Sequence, residues 1–358
     1  MSIITDPRPI IEFKDKTFSG FKKSDVLSIL LKSIEKGKPE DVCFWLTECI
    51  VSGYIIEIYH KLFIFSCKII HINSPLLPEY LYRKYLTFEK TYNHIDHKNR
   101  DKLIHLRNTP DVRSLLFDIA IVLTMTPKTR RYDKLPKIDP IKDFVFENIK
   151  NKMNATMQLL PANIIRFTDP DELRIIMNEI YFNLKNKNGG YDQVVYWINW
   201  LLQWEKKAKV EKRKYEIEER DINNVKPKYC KDIVWLIWEV IITETNERDE
   251  RLKKQIYSLC NYFKDDFTNG KRNGRMFIIY NAVGLLTLKL EWNTKIRSNK
   301  SLYITTQCNI DNLFIAKKAN EVKTYTPPPE KEKQVKGELK EIINDRMKQL
   351  QELDHILF

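Results

Sequence analysis

The stretch SDVLSILLKSIEKGKPEDVCFWLTECIVSG, Ser24 to Gly53, decides the fold class. Ser24 and Asp25 can cap a helix whose apolar stripe is Val26, Leu27, Leu30, Leu31 and Ile34, and Gly37 stops it. A second helix opens at Pro39, where the missing amide costs nothing because first-turn amides have no partner within the helix, and it runs to Gly53. Two apolar faces joined by so short a link make a helical hairpin.

The same periodicity continues outward. Tyr54 to Ile72, roughly Pro78 to Tyr92, and Asp111 to Thr124 read as helices, the last apolar on more than one face and therefore central. Further on, Ile141 to Gln158, Asp171 to Lys185, Tyr191 to about Glu216, Lys228 to Thr245, Glu247 to Phe267 and Arg275 to Leu286 repeat the pattern. Apolar-polar alternation is scarce, with only Leu302 to Thr306 suiting a strand, so the expected fold is an all-α multi-helix bundle. The expected division is an extended lead-in (1–19), an N-terminal helical domain (20–125), a basic connector (126–140), a C-terminal helical domain (141–325), a proline-rich linker (326–329) and a charged C-terminal helix (330–358).

An internal echo links the halves. KGKPEDVCFWL (Lys36 to Leu46) and NGGYDQVVYWI (Asn188 to Ile198) each place a glycine eight residues before a tryptophan, and KPKYCKDIVWLIW (Lys226 to Trp238) is a looser version. Convergent helix starts and tandem duplication both produce such a pattern. Trp45, Trp197, Trp200, Trp204, Trp235 and Trp238 lie at helical spacing, which assigns them to core packing.

The chain of 358 residues carries 61 basic against 48 acidic side chains, a net charge of +13. That excess leaves nucleic acid, an acidic protein or an anionic membrane surface open as partners, although the Ile-, Lys- and Asn-rich style also follows from codon bias. No signal peptide is expected, since Asp6 and prolines interrupt MSIITDPRPIIEFKDK, and no apolar run is long enough to span a bilayer. Six cysteines without a CxxC motif point to reduced, buried thiols and a cytoplasmic protein.

Enzyme motifs are missing. SGFKKSD and NGKRNGR lack P-loop glycine spacing, and GxGxxG, HExxH, GxSxG and the kinase signatures do not occur. No cofactor is expected. His94 and His97, with Cys43, Cys49 and Cys67 in the same half, match no zinc spacing, so no metal is assigned. Asp169, Asp171 and Glu172 are explained by helix capping, and Glu216, Glu218, Glu219 and Asp221 by offsetting the basic run before them.

Three basic segments remain. In TPKTRRYDKLPKI (Thr126 to Ile138) two prolines hold the backbone extended, so that Lys128, Arg130, Arg131, Lys134 and Lys137 can meet phosphates while Tyr132 stacks on a base; a connector salt-bridged to acidic helices is the alternative. Lys206 to Lys214 is helical and reads equally as a solvated face. Lys271, Arg272 and Arg275 stand with Gly270 and Gly274 at an expected helix start, a favourable place for an anion. Downstream of a stiff Thr326 to Pro329 spacer, the tail helix aligns Leu339, Ile343, Met347, Leu350 and Leu353 on one side, which suits packing on its own body, docking to a protein partner or self-association.

PEDVCFWL (Pro39 to Leu46) followed by Gly53 resembles the C-terminal helical domain of clamp-loader-related AAA+ proteins, the RarA/MgsA group, over about fifty residues with a one-residue slip after Gly53. The family's ATPase domain has no counterpart here, so the resemblance implies an oligomerising helical collar in DNA replication or repair and no active site. FSGFKKSDV, RRYDKLPKI and DPDELRIIMNEI also resemble an uncharacterised, mimivirus-like protein family of nucleocytoplasmic large DNA viruses. That likeness implies a location in the virus factory of the host cytoplasm or in the virion. The expected function is therefore a non-enzymatic nucleic-acid-associated accessory of replication or transcription, with DNA or RNA as partner and no membrane; the alternative is a virion or factory scaffold assembling through the tail helix.

Overall fold

The computed structural model describes residues 2–92, 100–129, 135–186 and 189–327. Among them the chain forms α-helices and no strand. The opening hairpin is α1 (Lys23–Glu35) and α2 (Pro39–Val51). Gly37 takes φ +66, and the amides of Gly37 and Lys38 return to the carbonyls of Ile34 and Ser33 at 3.1 and 3.0 Å, so glycine closes the helix by satisfying carbonyls that would otherwise be orphaned. Gly53, at φ +77, ends α2 in the same way, with Tyr54 N–H reaching the Cys49 carbonyl. At the front, α1 begins at Lys23; Ser24 and Asp25 lie inside the first turn, and neither caps it.

The next helix is broken. α3 (Ile55–Phe65) passes into a π-helical turn (Ser66–Ile70) and a 3-10 turn (His71–Asn73) before α4 (Leu77–Tyr92). α5 (Pro110–Met125) is the central helix that its all-round apolarity suggests, buried along most of its length. It even buries charge: Arg113 donates to the Ser2 and Arg107 carbonyls, and Asp118 holds Lys84 at 2.7 Å and Arg297 at 2.8 Å.

After the connector come α6 (Phe146–Lys152), α7 (Glu172–Lys185), α8 (Tyr191–Val210), α9 (Ile233–Thr245), α10 (Glu250–Lys264), α11 (Asn269–Thr287) and α12 (Lys300–Lys318). Several are shorter than their apolar patterns because side chains take over backbone groups. Asp139 accepts from Ile141 N–H ahead of α6, and Glu179 takes the Asn154 and Ala155 amides beyond it. Asp232 and Asp249 cap α9 and α10. Lys212, at φ +52, lies just beyond the end of α8. The expected strand at Leu302 to Thr306 is helical, because Asn299 caps Leu302 N–H at 2.9 Å and starts α12 there.

Helices before and after the connector share one cluster of buried apolar side chains. α10 packs on α4, and α11 packs on α3 and the π-turn. Pro9–Asn320 therefore belong to one contact-dense unit together with the residues up to Ile4. Thr5–Arg8 and, among the described residues, 321–327 form a second, where Val322 N–H donates to Asp6 at 2.9 Å. The tryptophans pack as expected: Trp197, Trp200, Trp204, Trp235 and Trp238 are buried, while Trp45 is half-buried. The echo's glycines differ, since Gly189 lacks the positive φ of Gly37.

No described helix is long and apolar enough to cross a membrane. The cysteines are free thiols; Cys43 is half-buried and Cys308 is exposed, and the other four are buried. Pro328, Pro329 and the tail segment carrying Leu339, Ile343, Met347, Leu350 and Leu353 lie outside the described residues.

Candidate functional site

A groove runs along α3, between α1 and the amino-terminal turns of α11. Its largest hollow, of about 880 Å³, has a floor that includes Tyr54, Ile56 and Ile64. Two further hollows continue it, one toward the turn that precedes α1 and one toward the π-turn, and Lys61 lines all three. Eight cationic side chains border the whole against four carboxylates, an excess of four. Some of that charge is paired locally: Lys23 meets Glu57 at 2.5 Å, and Lys271 pairs with Asp266. Lys14, Lys22 and Lys32 are exposed, with no acidic partner within 4.0 Å among the described residues.

His60 stands where the hollows join. Burial pushes its pKa down to about 4, and the Arg275 and Lys271 cations add to that, against Asp266. The ring is therefore neutral at pH 7. Its Nδ1 pairs with the Tyr262 hydroxyl. Burial also raises the Tyr262 pKa, so the phenol stays protonated and the pair is neutral. The groove thus has a neutral, polar imidazole beside its cations.

The residues singled out in the sequence divide. Lys271 and Arg275, one turn apart on α11, both line the groove. Arg275 is buried, however, and donates to the Phe263 and Asp265 carbonyls at 2.6 Å each, closing the end of α10. Arg272 faces the other way and is taken up by Glu205 at 2.7 Å and Asp232 at 2.9 Å. Lys128 turns back onto the Thr124 and Thr126 carbonyls, at 2.6 and 2.8 Å, and burial lowers its pKa to about 8. Lys137 is exposed. Arg130, Arg131, Tyr132 and Lys134 lie outside the described residues, as do His94 and His97.

The connector nevertheless starts at the groove. Thr129 N–H donates to the carbonyl of Ile69, a groove-lining residue, at 2.9 Å. The Lys206 to Lys214 segment is occupied elsewhere: Lys209 pairs with Glu205, and Arg213 with Glu172 and Glu211. Asp169 is not the helix cap expected, since no side chain caps α7. It is buried against Arg220 at 2.6 Å and takes the Arg166 and Glu218 amides. No group of three or more His, Cys, Asp or Glu suited to a metal ion occurs among the described residues.

Sequence reasoning missed Lys14, Lys22, Lys32, Lys61 and Lys68. One local signal was available: Lys61 and Lys68 are seven residues apart, two helical turns, in a segment read as a single helix. Compared with protein-family models, curated proteins and solved structures, the chain matches none. The two family resemblances rest on the quoted residues alone.

Proposed function

We propose that the protein binds the phosphate backbone of nucleic acid along this groove, as a non-enzymatic accessory of a replication or transcription assembly. The observation that carries the reading is the excess of four positive charges in one channel, with three lysines exposed and lacking an acidic partner among the described residues. Cations left unpaired in a concave, apolar-floored channel concentrate the field and favour a polyanion. Helix α3 has eleven residues, hence about 16 Å of length, enough to run beside more than one phosphate of a strand. The connector starts at one end of the channel, where Thr129 N–H meets the Ile69 carbonyl, and Arg130 and Arg131 follow it in the sequence.

Fluorescence anisotropy with labelled single-stranded and duplex DNA and RNA at low salt tests the reading. Lys14→Ala/Lys22→Ala/Lys32→Ala is expected to weaken binding strongly, and Arg130→Ala/Arg131→Ala/Lys134→Ala reads the connector's share. Folded wild-type protein that binds none of the strands at low salt overturns the proposal.

A further inference from the structure

The groove continues into a feature that its charges do not explain. A tight turn precedes α1: Thr17 N–H donates to the Phe21 carbonyl at 2.7 Å, and Lys16 and Lys22 pair across it. Lys22 lines the groove, while its neighbour Phe21 leans on Trp45, ring centroids 5.6 Å apart at 72°. Phe44 meets the same indole edge-on at 5.0 Å and 90°. Phe21 remains 44% exposed and Phe44 43%, and Trp45 is half-buried. Lys317 places its ammonium 3.9 Å from the Phe44 ring centre, but it is buried and paired with Glu48 at 2.6 Å, so it closes that end of the row and offers no free charge.

Three adjoining rings left open to solvent beside a cationic channel fit a ligand that combines a phosphate chain with accessible flat faces. We infer that the groove takes a single-stranded nucleic acid, whose bases stack on Phe21, Trp45 and Phe44 while its phosphates follow the lysines. This rests on the groove reading above. A duplex keeps its base faces stacked inside and presents none to a side chain, whereas every base of a single strand has a free face for an aromatic ring. Continuity through Phe21 and the exposed Lys22 favours this occupant over an apolar protein segment, which would gain nothing from the lysines.

The test compares an oligothymidine strand, an abasic phosphodiester strand of the same length and a duplex, against wild-type protein and Phe21→Leu/Phe44→Leu. Leucine keeps the surface apolar but removes both rings. Wild type is expected to bind oligothymidine at least about fivefold more tightly than the abasic strand, the low end for one base stacked on a side chain. The double variant, which keeps Trp45, should lose most of that preference and leave duplex affinity and salt dependence unchanged. Wild-type protein that binds both strands equally, or a double variant whose preference for bases is undiminished, overturns the inference while leaving the groove reading standing. Wild-type protein that binds none of the three overturns the groove reading and this inference with it.

Discussion

Arg275 separates a structural cation from a ligand-binding one, and Arg275→Met measures the difference. The guanidinium is 6% exposed and gives two hydrogen bonds of 2.6 Å, to the Phe263 and Asp265 carbonyls, with Tyr262 at 3.5 Å. These carbonyls belong to the last turn and cap of α10, which have no partner within their own helix. A hydrogen bond from a charged donor contributes about 1.5–3 kcal/mol, so two are worth about 3–6 kcal/mol. Methionine recovers part of that by filling the same volume, which leaves an expected loss of about 3 kcal/mol. Urea unfolding at pH 7, followed by far-ultraviolet circular dichroism, reads it directly. All of these contacts come from one guanidinium nitrogen, so Arg275→Lys, whose ammonium carries three N–H donors, should recover much of the loss. A change below about 1 kcal/mol for the methionine variant would show that α10 closes without the guanidinium.

Three further outcomes follow from the same contacts. Lys128 titrates near 8 when folded against about 10.4 when unfolded, so between these values the unfolded chain holds more protons and stability rises with pH; wild type should gain on Lys128→Met between pH 8 and pH 10 in paired urea melts, and a constant gap would contradict this. Burial works to raise the Asp169 pKa, but Arg220 and the Arg166 and Glu218 amides outweigh it and hold it below the ordinary range. Asp169→Asn should therefore cost about 3–5 kcal/mol at pH 7, and its gap to wild type should close as pH falls below about 4, where the unfolded chain takes up a proton that the native carboxylate resists. At Gly190 a Cβ would lie 1.9 Å from the Asn183 carbonyl oxygen, while at Gly189 it would meet nothing within 4 Å. Gly190→Ala should thus lose about 3 kcal/mol or more and Gly189→Ala almost nothing, as thermal melting of the pair would show.

What was legible in the sequence was local. Pro39, Gly37 and Gly53 bracket the opening hairpin through backbone chemistry that needs no distant partner, and the apolar periodicity identified α5 as central. Helix ends were misplaced where a side chain from elsewhere intervened, as Glu179 does beyond α6, or where a short alternation imitated a strand, as at Leu302 to Thr306. Charge was the least legible feature. Lys128, Arg272 and Arg275 look like free cations in one dimension, yet each is engaged by carbonyls or carboxylates, those of Arg272 lying 40 and 67 residues away. The exposed lysines of the groove come from separate segments, Lys14 and Lys22 before α1 and Lys32 within it, and only folding places them along α3.

The salt dependence of nucleic-acid binding tests the central claim most directly. If the excess of four charges acts on the backbone of a single strand, log K should fall with log[salt] at a slope of about −3, a loss of roughly fiftyfold between about 50 and 200 mM. In Lys14→Ala/Lys22→Ala/Lys32→Ala one excess charge remains, and the slope should flatten to about −0.7. A wild-type slope near zero, or an unchanged slope in a folded triple variant, would contradict the groove as the site of phosphate contact.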